Sequence, residues 1–98
     1  MRTLLRARLD TPAANAAIRD GSMMKGIEEL MERLRPEAAY FTTMDGGRSC
    51  FFVFDMQDAS EMPACAEKLF LGMDAEVEMH PVMNIDDLRR GLEALSGD

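Results

Sequence analysis

The single imidazole, His80, is the first side chain to consider for proton transfer near neutral pH, because histidine alone titrates there unperturbed. Asp55 or Glu78 would orient its ring, and Tyr40 would add a second hydrogen-bonding group. That set suits work on an enolisable small molecule. The competing assignment places His80 in a ladder of arginines and glutamates at a subunit interface. Arg6 and Arg8 divide the same way: they hold a carboxylate substrate through bidentate hydrogen bonds, or they cancel Glu76 and Glu78. Cys50 and Cys65 have no base beside them in sequence and form no CxxC or metal-ligand spacing, so they read as buried, reduced thiols. Asp45-Gly46-Gly47 has no following helix and no nearby lysine, so it reads as a turn rather than a phosphate loop. With one histidine and carboxylates that match no calcium-loop spacing, no metal is expected. No cofactor motif is present either.

These residues need a scaffold, and 98 residues fit one domain, residues 1–98. An apolar fraction of 47% is too high for a disordered tail. Eighteen acids against eleven bases give a net charge of −7. Residues 1–35 carry seven bases and five acids, leaving −9 for the remainder. Such a surface repels a phosphate backbone, which argues against nucleic acid. No apolar run reaches the roughly 18 residues of a membrane span. Residues 1–9 are interrupted by charge too often for a signal peptide, so the expected location is cytoplasmic.

The chain opens with period-two alternation, Thr3, Leu5, Ala7 and Leu9 against Arg2, Leu4, Arg6 and Arg8, the mark of a strand with one apolar face. Thr11-Pro12 predicts a helix with Thr11 as cap. Asp20-Gly21-Ser22 interrupts that helix, and Pro36 ends it. In its second half Ile27, Leu30, Met31 and Leu34 form an apolar stripe. Ala38–Met44 and Arg48–Met56 flank the glycine turn as a β-hairpin. Asp58 and Glu61 are spaced as a capping box, but that start would leave Pro63 too deep in the next helix; Ser60 is the preferred cap, with the helix running to about Leu71. Glu76–Met83 alternates as a fourth strand. Asn84 caps a last helix, with Ile85, Leu88, Leu92 and Leu95 as its buried stripe. The order β-α-β-β-α-β-α predicts an α+β fold: a ferredoxin-like sandwich with an antiparallel sheet and an extra C-terminal helix.

In that topology the first strand lies between the third and fourth. Its odd, apolar residues face the helices, and Arg6 and Arg8 meet Glu76, Glu78 and His80 on the open face. A two-residue hairpin loop sends Phe41, Cys50 and Phe52 to the helices. Tyr40, Thr42, Phe51, Val53 and Asp55 then join the open face. A three-residue loop reverses the assignment. A face bearing Phe51, Val53 and Tyr40 is too apolar for water. The same face of a second copy, related by two-fold symmetry, is the expected cover.

Pro36-Glu-Ala-Ala-Tyr-Phe-Thr-Thr-Met-Asp-Gly-Gly-Arg48 and Phe51-Phe-Val-Phe-Asp-Met56, with Asp58–Glu67 and Ala75–Asn84, resemble the dimeric α+β barrel superfamily. The likeness is to short bacterial proteins on its muconolactone-isomerase-like branch. It spans essentially the whole chain and rests on pattern and element order. The resemblance implies a homodimer whose sheets pack face to face into a barrel with helices outside, or a higher oligomer built on it. Its enzymes include cofactor-free monooxygenases, isomerases and haem-degrading proteins, several with a pocket between the sheet and its own helices. This chain lacks the tryptophan that haem-degrading members use, and its one histidine is followed by a proline. No catalytic residue carries over.

Two functions of different kind follow. One is binding of a small apolar or aromatic molecule under the helices, with cofactor-independent isomerase or oxygenase chemistry as its catalytic form. Met23, Met24, Ile27, Phe52, Phe54, Met62 and Met79 would line the pocket, and the helix break at Gly21 would form its entrance. Such a cavity should reach roughly 300 Å³. The other is a non-catalytic assembly protein whose product is the oligomer.

Overall fold

A computed structural model describes residues 1–96, which form four strands and four α-helices. The strands are β1 (Arg2–Arg8), β2 (Ala38–Met44), β3 (Gly47–Asp55) and β4 (Glu76–Pro81). The helices are α1 (Thr11–Asp20), α2 (Ser22–Leu34), α3 (Met62–Met73) and α4 (Ile85–Ser96). One antiparallel sheet has the order β2-β3-β1-β4, with β1 between β3 and β4 as the expected topology requires. Two strand–helix–strand units are thereby interleaved.

The hairpin settles which residues face the helices. Met44 pairs with Gly47, so the loop is the two residues Asp45 and Gly46, at φ 53° and 76°. Positive φ at both positions matches the right-handed twist of the flanking strands. Aspartate tolerates that region through its short polar side chain. Phe41 therefore lies opposite Cys50, and Cys50, Phe52 and Phe54 point into the core with Leu5 and Ala7. Gly47 leaves room of another kind: a Cβ there would stand 3.1 Å from Nε of Arg8, whose side chain would have to shift by a few tenths of an ångström to admit it.

Four expectations need correction. The first helix is two helices, giving the order β-α-α-β-β-α-β-α. Gly21, at φ 81°, ends α1 and begins α2, a left-handed conformation that glycine adopts without steric cost. The cap of α1 is Asp10, whose carboxylate accepts from Ala13 N–H at 3.1 Å; Thr11 is already helical. An ionised acceptor at the positive end of a helix outcompetes a hydroxyl.

Before α3, the Asp58–Glu61 capping box does form. Glu61 accepts from Asp58 N–H at 2.8 Å, and Asp58 accepts from Ser60 N–H at 3.0 Å. It caps a 3₁₀ turn at Ala59–Glu61, after which α3 starts at Met62 and Pro63 falls in its first turn. The short turn lets the box and the proline coexist, so Ser60 donates rather than caps.

Asn84 caps α4, accepting from Asp87 N–H at 2.8 Å while Asp87 accepts from Asn84 N–H at 3.1 Å. The apolar stripe of α4, however, is not buried. Ile85 is 65% and Leu95 73% exposed, with Leu88 and Leu92 also open. Apart from its first turn, where Asp87 stands 3.6 Å from Arg2, α4 makes no extended contact with another element. The chain is accordingly elongated, 56 × 27 × 18 Å with a radius of gyration of 15.8 Å. About 12.5 Å is usual at this length. Amphipathic periodicity requires an apolar partner surface but does not say which chain provides it. Among the described residues no helix is long and apolar enough to cross a membrane.

Candidate functional site

The space under the helices is a partly open cavity of about 180 Å³. Met23, Ile27 and Leu30 of α2 form its roof, Leu69 and Met73 of α3 one side, and Phe41, Cys50 and Phe52 its floor, with Leu9 beside them. The break at Gly21 lets α2 take its own line over the sheet. Among the described residues no helix makes an extended contact with the edge strand β2, and Phe41 remains 55% exposed while its ring meets Phe52 edge to face at 5.8 Å. Methionine and leucine against aromatic rings make an adaptable apolar wall.

The expected lining is corrected in part. Met23, Ile27 and Phe52 line the cavity, and Met24 lines an adjoining groove beside Gly21. Phe54 is packed in the core. Met62 and Met79 border a separate shallow groove between α3 and β4. The volume is also below the roughly 300 Å³ expected, which limits a guest to about one ring.

The cavity carries little acid–base potential. Burial pushes the Cys50 thiol up to about 11, a backbone hydrogen bond from Ala7 opposing only slightly. Cys65, buried against the helices, is also raised, by burial first and then by Glu61. Neither is an activated nucleophile. Among the described residues no carboxylate or imidazole lines the cavity, and no group of three or more His, Cys, Asp or Glu is placed to hold a metal ion.

The residues singled out for proton transfer stand on the other side of the sheet. His80 lies on β4 and Tyr40 on β2, the two edge strands, with β3 and β1 between them. Three inter-strand steps separate them by about 14 Å. Nε2 of His80 lies 3.4 Å from Glu78, whereas Asp55 is held by the ammonium of Met1 at 2.6 Å and by Gln57. The Met1 ammonium, by hydrogen bond and charge, keeps the Asp55 carboxyl below its usual range. His80, Asp55 and Tyr40 are therefore not assembled into one acid–base set within a chain.

Arg6 and Arg8 stand where the register requires, opposite Glu78 and Glu76. Arg6 reaches Asp45 at 3.0 Å and Glu78 at 3.4 Å. Arg8 donates to the Asp45 carbonyl at 3.1 Å, while its Nε is buried without a partner. Between these charges Phe51, Val53 and Leu4 are half-buried and Tyr40 is 69% exposed.

Of the cavity wall the sequence pattern marked only Met23, Ile27 and Phe52; among the lining residues it missed, Arg48 is the charged one. It sits on β3 in the alternation Arg48, Cys50, Phe52, Phe54, the helix-facing set, and it lines the cavity. A lone cation on the apolar face of a strand was the available signal. No protein-family model matches this chain, and no curated protein matches it.

Proposed function

We propose that this protein binds a small apolar or aromatic molecule in the cavity between its sheet and helices, as a homodimer whose two open sheet faces pack together. The observation that carries the reading is the placement of a walled apolar cavity on one face of the sheet and an uncovered apolar patch on the other. The strand order agrees with the ferredoxin-like arrangement of the dimeric α+β barrel superfamily, which combines these two features. A second copy would cover Tyr40, Phe51 and Val53, and would offer apolar surface to the stripe of α4. Binding is favoured over proton-transfer catalysis, because the sheet separates His80, Asp55 and Tyr40 from the cavity.

Native mass spectrometry on gently purified protein tests both halves. The expected spectrum is a species of twice 11.0 kDa that acquires the mass of an added monocyclic aromatic probe. A stable monomer would remove the dimer. Absence of any adduct across such probes would move the reading to the assembly protein, which the exposed stripe of α4 independently favours.

A further inference from the structure

We infer that the cavity's ligand is an anion: a small monocyclic or similarly compact carboxylic acid whose carboxylate is received by Arg48. This rests on the small-molecule reading above and adds the ligand's chemical class. The sheet carries four arginines. Arg2 is paired with Glu37 and Asp87, Arg6 with Asp45 and Glu78, and Arg8 with the Asp45 carbonyl. Arg48 is half-buried, and its side chain has no hydrogen-bond or ion-pair partner among the described residues. In a chain with eighteen acids and eleven bases, a half-buried arginine left with neither an acid nor a carbonyl to bond stands out. Partial burial of a charge is unfavourable until a counter-charge arrives.

Its place on the cavity wall decides which counter-charge it suits. Arg48 is, among the described residues, the one charged side chain on the cavity wall. A carboxylate there meets no opposing acid, and its apolar body meets Ile27, Leu30 and Phe52. A guanidinium fork matches the two oxygens of a carboxylate. A cationic guest would meet only repulsion. The volume of about 180 Å³ admits a single ring with a short acidic arm, by comparison with the roughly 150 Å³ that hold benzene elsewhere.

The test is isothermal titration of the full chain with phenylacetate and its neutral isostere phenylacetamide, at low salt. Wild type should bind the acid about 10- to 100-fold more tightly than the amide, the ratio typical of a charge-assisted hydrogen-bonding pair. Arg48→Gln should abolish that preference while keeping affinity for the amide, which also shows that the variant is folded. Arg48→Lys should retain part of the preference, and Arg19→Gln, an exposed site, controls for net charge. Equal binding of the two probes, or a preference that survives in Arg48→Gln, overturns the carboxylate while leaving the cavity reading intact. Acid binding that persists in Ile27→Trp, which fills the cavity, overturns it as well. If neither probe binds wild type at millimolar concentration, the cavity reading itself falls, and this inference with it.

Discussion

Phe51 and Phe52 are adjacent in sequence, share one strand and stand on opposite faces of the sheet. Phe52 is 0% exposed, set between β1 and the helices. Phe51 is only half-buried, flanked by Tyr40 across one strand pair and Arg6 across the other. The helix face is nearly all apolar and holds one lone cation at a cavity. The open face mixes aromatics with matched charges. Side chains that titrate readily need not be those nearest a ligand. Here the ladder of Arg6, Glu78 and His80 belongs to the open face, while the cavity lies on the helix face, where among the described residues Arg48 is the one charged side chain on its wall.

Substitution of these neighbours should split the two faces most sharply. Phe52→Ala should destabilise the folded chain by about 3–5 kcal/mol, the usual cost of emptying a fully buried aromatic site, read from denaturant unfolding. Phe51→Ala should cost the isolated chain far less, since water already reaches it. Phe51→Asp should instead abolish self-association, read by sedimentation as a shift to 11.0 kDa, because a dimer would bury an unpaired carboxylate. Equal stability losses at both positions, with no change in association, would mean that the faces do not differ in the way proposed.

The charge ladder sharpens the same contrast at smaller scale. In a free chain the exposed Arg6–Glu78 pair contributes little, about 0–1 kcal/mol. Sealed between two sheets, loss of Arg6 alone would strand Glu78 and Asp45 and cost about 3–5 kcal/mol of dimer stability. Arg6→Ala should therefore weaken association strongly but leave the unfolding of a monomeric variant such as Phe51→Asp nearly unchanged. His80→Ala should alter association without altering phenylacetate affinity.

Much of this architecture was legible in advance. Period-two alternation marked Arg2–Arg8 as a strand with one apolar face, and the element order placed it between β3 and β4. The hairpin parity stayed open between two loop lengths until the pairing of Met44 with Gly47 fixed Phe41, Cys50 and Phe52 on one side. Parity identifies a face but not a lateral position on it. Phe52 reached the cavity, Phe54 went into the core, and Met62 and Met79 were carried to the α3–β4 side. Ile85, Leu88, Leu92 and Leu95 showed that α4 needs an apolar partner, a demand that no surface among the described residues meets. Arg48 was not legible as a site residue because, unlike Arg6 and Arg8, it has no acid opposite it on a neighbouring strand. The informative arginine is the one on the cavity wall with neither an acid nor a carbonyl to bond.

Titration separates the faces in both directions of pH. Asp55 on the open face, held down by the Met1 ammonium, and the capping carboxylates Asp58 and Asp87, held down by Ser60 and by Asn84 N–H, all have lowered folded-state pKa values. Their contribution is present above the unfolded value of about 4 and is lost as pH falls through the lower folded values. Melting temperature should therefore decline from pH 4 downward, and Asp58→Asn, which still caps, should flatten part of that decline. Cys50 on the helix face behaves oppositely. With its folded pKa at about 11, the native state holds a proton that the unfolded chain releases from about pH 8.5, so stability falls as pH rises through that window. Native Cys50 should also react with iodoacetamide at pH 8 roughly 100-fold more slowly than an unfolded cysteine, since only the thiolate attacks. Fast native labelling at Cys50 would mean that the cavity floor is wetter than its packing indicates.

The smallest expected effect lies where neither face is involved. Arg35 ends α2 at φ 45°, its N–H bonded to the Met31 carbonyl at 2.9 Å. A side chain in that left-handed region costs about 1–2 kcal/mol, while glycine there brings back about 0.5–1 kcal/mol of unfolded-state entropy. Arg35→Gly should thus stabilise the chain by about 0.5 kcal/mol, raising the melting temperature by roughly 2–4 °C. Because Arg35 lies on neither the cavity wall nor the open face, phenylacetate affinity and sedimentation should stay at wild-type values. A change in either would show that the end of α2 is coupled to its roof over the cavity, and that the helix face is less rigid than its packing implies.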